Sequence, residues 1–177
     1  MSAARCSVAA LNALDAEAFT ALLGGVFEHS PWIARAAFGA RPFGSIGELH
    51  AAMLRVVVAA SVDKQLRLLR AHPMLASSGM VALTAASAAE QAGTGLDRLT
   101  ADEGAVLDAL NRAYRARFGF PFIIAVRGQR GRDAILAALQ SRVRNAPEQE
   151  RATALAEVAK IARYRLYDLV AENGDAG

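Results

Sequence analysis

TADEGAVLDALNRAYRARFGFPFIIAVRG, residues 100–128, decides how the chain folds. Thr100 and Glu103 stand at capping-box spacing, so a long helix is expected to start there and run to about Phe118. Gly119 and Pro121 are poor choices for a helix interior, and FPFIIAVR then breaks the helical period. A continuous apolar run of this kind would pass for a buried strand, but the sequence offers no second strand to pair with it. It is therefore expected to be extended or irregularly helical.

Outward from this stretch, alanine and leucine recur at helical spacing, and β-branched residues are too few and too clustered to build a sheet. The expected fold is all-α: a single-domain compact bundle of about eight helices with no significant sheet. The domain is expected to fill residues 1–177, with flexible ends at 1–6 and 173–177. Upstream, Asp15 caps a helix, Leu14 and Phe19 form its staple, and Phe19, Leu22, Leu23, Val26 and Phe27 form its buried stripe. Ser30 and Pro31 open a short helix through Phe38 that stops at Gly39, and Ser45 with Glu48 repeats the capping-box spacing. A further helix runs from about Asp63 to Ala71, because Pro73 turns His72 away from helical angles. A short helix is expected around 85–92, and two more at about 132–144 and 148–172.

Composition narrows the function classes. Hydrophobic residues make up 54% of the 177 and charged residues 21%, so disorder is excluded. The apolar runs fall well short of the ~18–20 residues of a membrane span, so no membrane partner is expected. Cys6 is the single cysteine and can form neither an internal disulfide nor a cysteine zinc site; with no legible targeting segment, a cytoplasmic location is expected. The net charge of +3 comes from interspersed acidic and basic residues with only two lysines, Lys64 and Lys160, so no nucleic-acid partner is expected.

Three places combine ionisable residues with a context that packing alone does not require. In AHPML, the His72–Pro73 step sends the imidazole from a helix end in a defined direction; taken alone, His72 reads first as a surface histidine capping helix carbonyls. In SAAEQ, Ser87, Glu90 and Gln91 at i, i+3 and i+4 share one helix face, although S-x-x-E is also a capping box. Arg127 follows nine uncharged residues; its planar donor fork suits a carboxylate, and the alternative is an arginine returning the chain to solvent. His29 reads as shaping the FEHSPW loop and His50 as a helix residue with no partner pattern, so no metal site is expected.

FEHSPW at 27–32, LLRAHPMLA at 68–76, SAAEQAGTGLDRLT at 87–100 and LNRAYRARFGFPFIIAVRG at 110–128 together resemble the 2-oxo-4-hydroxy-4-carboxy-5-ureidoimidazoline (OHCU) decarboxylases. RVRN at 142–145 and E-x-x-K-I-A-x-x-R-L at 157–166 continue the likeness in order. The resemblance implies a helical carboxy-lyase without cofactor or metal that converts OHCU to (S)-allantoin and carbon dioxide in urate degradation. It also implies a homodimer, with functional association with upstream urate-pathway enzymes. It puts the catalytic roles on His72, Glu90 and Arg127, and substrate contacts on Pro73, Ser87, Gln91, Ile123 and Ile124. Met74 departs from the polar residue often found after His-Pro in the family, and the competing expectation is a non-catalytic helical binding or scaffold protein.

Overall fold

The computed structural model describes residues 5–75 and 100–173. Among these the chain forms eight α-helices, one 3-10 turn and two two-residue strands, so the all-α expectation holds. It divides into two compact units, residues 1–68 with 159–177 and residues 69–158.

In the first unit, strand β1 (Cys6–Ser7) lies parallel to β2 (Val170–Ala171), a ladder too short to leave a pattern in the sequence. Helix α1 (Val8–Ala13) is capped by Ser7, and α2 (Ala16–Leu23) by Asp15, whose carboxylate accepts the Ala18 N–H at 2.8 Å. Pro31 opens α3 (Pro31–Ala37), but Ser30 makes no side-chain cap, and the chain passes through Gly39 in a 3-10 turn, Phe38–Ala40, instead of stopping there. Helix α4 (Ile46–Ala59) buries Ile46, Leu49, Ala52, Met53 and Val57 at helical spacing. Its N-terminal donors are shared out by neighbours: Ser45 Oγ takes the Glu48 N–H, while Glu48 takes the Gly44 N–H at 2.7 Å, one residue before the box partner expected of it. Helix α5 (Val62–Arg70) follows, and α3 packs against both α2 and α4.

The second unit is built on α6 (Ala101–Phe118). Its N-terminus has the full reciprocal capping box, Thr100 N–H to Glu103 Oε2 at 2.9 Å and Glu103 N–H to Thr100 Oγ1 at 3.3 Å. Those bonds from Thr100 hold the Glu103 carboxyl below its ordinary range. Gly119 ends the helix with φ 74°, a left-handed cap that glycine adopts without a Cβ clash. Residues 120–126 are neither helix nor strand and are buried through Ala125, packing Phe120 and Phe122 against Tyr114 with ring centroids 6.0 and 5.4 Å apart. Helix α7 (Arg132–Arg142) packs on α6, and α8 (Pro147–Leu169) starts at Pro147 itself.

Candidate active site

Helix α5 ends where Pro73 requires, and the His72 N–H makes one last bond to the Leu69 carbonyl at 3.3 Å. The short segment after the helix is then tied down on both sides. Arg70 Nε donates to the Gly119 carbonyl at 3.0 Å, and buried Asn111 on α6 donates through Nδ2 to the Leu75 carbonyl at 3.3 Å. Between these anchors His72 is only 7% exposed, so the surface-histidine reading is overturned. Its Nε2 atom is shielded from solvent, and the residue has interaction partners. Pro73 and Met74 are half-buried.

The Arg70 anchor lands on Gly119, the residue where the second candidate segment begins. Ile123 and Ile124 are buried within that segment, whereas Arg127 stands exposed just beyond its end. Backbone groups buried here need partners, and side chains supply them. Arg142 Nη1 donates to the Ile123 carbonyl at 2.8 Å, and Glu157 accepts the Ala125 N–H at 2.8 Å. The guanidinium of Arg142 is held in turn by Glu150, which is 0% exposed and accepts from Nε at 2.9 Å and Nη2 at 2.6 Å. Tyr114 donates its hydroxyl to the same carboxylate and Asn145 Nδ2 donates at 2.6 Å, so both oxygens are engaged. Burial, and then the Glu150 carboxylate, push the Tyr114 phenol far above its ordinary range, keeping it a donor.

Ser87, Glu90 and Gln91 lie outside the described residues, as does the helix expected around 85–92. Among the described residues no group of three or more His, Cys, Asp or Glu is placed to hold a metal ion. In the first unit, FEHSPW and the late E-x-x-K-I-A-x-x-R-L run meet: buried Glu28 and Arg165 pair at 2.8 Å, and Arg165 also donates to the Gly25 carbonyl. His29 takes a left-handed φ of 47° with its side chain exposed, which fits its loop-shaping reading. His50 Nε2 bonds the Ala159 carbonyl at 2.8 Å, a partner far away in sequence. Among the described residues, Glu28, Asn111, Tyr114, Arg142, Glu150, Glu157 and Arg165 are buried polar residues that the motifs left without a role, although six of the seven lie inside the family-like runs.

The fold and these segments define an all-α protein with a buried, titratable imidazole fixed at a helix end. A family model described as OHCU decarboxylase matches residues 12–167, and the chain belongs to that family of carboxy-lyases. It is 47% identical over 156 residues to the 2-oxo-4-hydroxy-4-carboxy-5-ureidoimidazoline decarboxylase of Haloferax volcanii, covering 88% of this chain and 91% of that one. Among solved structures it is similar to an (S)-allantoin synthase, with a TM-score of 0.75 and 35% identity over 94% of this chain and 54% of the other. An OHCU decarboxylase crystallised in the presence of (S)-allantoin shares the fold, with a TM-score of 0.66 at 24% identity over 88% of this chain and 98% of the other.

Proposed function

We infer that the chain decarboxylates OHCU to (S)-allantoin and carbon dioxide in urate degradation. The observation that carries this reading is the family match across residues 12–167, supported by the burial of His72 in one of the matching motifs. OHCU bears its carboxylate and hydroxyl on a ring carbon next to a C=N bond. When the bond to the carboxylate breaks, the electron pair enters that imine and its nitrogen takes up a proton; the hydroxyl then loses its proton as a ring carbonyl forms, and the ureido-bearing carbon gains a proton on one face. The substrate is its own electron sink, so the protein's work is to orient the carboxylate, stabilise charge and move protons.

His72 is assigned the proton transfer, because an imidazole exchanges protons near neutral pH and the two anchors on either side fix its direction. Arg127 is assigned to hold substrate oxygens with its planar fork, and Glu90 to set the protonation of His72 or bond the substrate hydroxyl. Pro73, Ser87, Gln91, Ile123 and Ile124 complete the substrate contacts, and the active form is a homodimer in the cytosol.

The test is turnover of freshly made OHCU by the full chain, followed by carbon dioxide release and chiral detection of allantoin. Stereoselective turnover that survives chelation and dialysis is expected. No turnover above the spontaneous rate would favour a non-catalytic binding protein, and activity lost with a stoichiometric metal would overturn the cofactor-independent mechanism.

A further inference from the structure

Resting on the decarboxylase reading, we propose that Glu157, acting with Arg142, is a positioning residue of the reaction: the pair clamps Ile123 and Ala125 so that Arg127 leaves the backbone in one fixed direction. A carboxylate can only accept hydrogen bonds. Glu157 therefore takes the Ala125 N–H directly at 2.8 Å. The carbonyl of Ile123 needs a donor instead, and Arg142 stands between it and Glu150, giving Nη1 to the carbonyl and Nε and Nη2 to the carboxylate. Glu150 and Glu157 are seven residues apart on α8, about two turns, so one helix face supplies both ends of the clamp. The clamped groups are two residues apart in sequence, a C=O and an N–H that in a sheet would share one edge and bond a neighbouring strand. Here charged side chains stand in for that strand, and bonds to ionised groups are roughly twice as strong as neutral ones.

The chain turns immediately beyond the clamp. Gln129 donates its N–H to the Val126 carbonyl at 3.0 Å and its Nε2 to the Ala125 carbonyl at 3.3 Å, and Gly128 has φ 98°. Arg127 is thus a central residue of that turn, two positions after the clamped Ala125, with its backbone held on both sides. A long exposed side chain can be aimed only as well as its Cα is placed, and this arrangement places it.

Glu157→Gln keeps the size and an acceptor oxygen while removing the charge. The full chain and this variant are compared by amide hydrogen exchange and by steady-state turnover of OHCU. Exchange over residues 123–127 is expected to quicken by about 10-fold or more, with residues 8–23 unchanged, and kcat per folded molecule to fall about 10-fold while KM stays within about 3-fold. If Glu157→Gln does not fold, Arg142→Lys, which keeps a cation beside Glu150 but loses the branched fork, is read the same way and with the same expectations. A role in stability alone would lower Tm and leave kcat per folded molecule intact, and that result overturns the proposal. Slower turnover with unchanged exchange also overturns it, because Glu157 would then act by another route. Failure of the decarboxylase reading shows separately, as an inactive wild type, and takes the catalytic part of the proposal with it.

Discussion

Helix α4 in one unit buries one apolar face and residues 120–126 in the other are buried through Ala125, but their backbones are satisfied by different means. In α4 the backbone bonds itself between the first and last turns, and outside side chains serve only its ends: Ser45 takes the Glu48 N–H, Glu172 that of Ile46, and Gln65 Nε2 donates to the Val57 carbonyl at 3.1 Å. Its side chains are left to fill volume. In 120–126 the carbonyl of Ile123 and the N–H of Ala125 depend on Arg142 and Glu157, 19 and 32 positions further along. Each stretch is fragile in its own way: α4 to loss of volume, the irregular segment to loss of a charge that is distant in sequence from the backbone it bonds.

The strongest way to break this contrast is Arg142→Leu. The substitution keeps apolar volume but strands the fully buried Glu150 carboxylate, and breaking a buried pair from one side costs about 3–5 kcal/mol. Urea denaturation checks it, and a loss under about 1 kcal/mol would mean the segment does not depend on its ion pair. Leu49→Ala probes the opposite case, removing buried volume from α4 with no polar partner disturbed; about 2–4 kcal/mol is expected by the same measurement.

A smaller effect sharpens the picture of α4. Burial, more than the nearby Arg163 charge, lowers the His50 pKa, and the bond to the Ala159 carbonyl only partly offsets it. The folded state therefore binds fewer protons than the unfolded one near this pKa. The resulting stability is complete above the unfolded value of 6.5 and is lost as pH falls through 6.5 toward the lower folded value. His50→Gln, which retains a donor, should flatten the decline in Tm on acidification through that window; an unchanged slope would remove His50 as its source.

Much of the helical framework was legible because its signals are local. The Thr100–Glu103 box, the Asp15 cap, the glycine stop at Gly119 and the Pro73 boundary all act within four residues and appear as read. Glu48 shows the limit of such patterns, since the same spacing delivered its carboxylate to Gly44 instead of the cap residue. That FPFIIAV leaves the helical period was legible too, and among the described residues it is neither helix nor strand, but what bonds its backbone was not legible. Nothing near Ile123 or Ala125 announces Arg142 and Glu157, and nothing near His50 announces Ala159, because these contacts are set by tertiary packing. The burial of His72 belongs to the same class: its own helix end suggests exposure, and the anchors through Asn111 and Gly119 come from α6 and its cap. A charged residue inside an apolar helical stretch, as at Glu157 in ALAEVA, is the signal that would have pointed to the clamp, whereas Glu150 in PEQER carries none.

The role of His72 in moving the proton of the decarboxylation is decided by His72→Asn assayed on fresh OHCU with chiral detection of allantoin alongside thermal unfolding. General acid–base groups contribute ~10²–10⁴-fold, so kcat should fall by about that range while the fold persists. Near wild-type stereoselective turnover, with stability lowered by about 1 kcal/mol, would instead make His72 a helix-terminal structural residue and contradict the account.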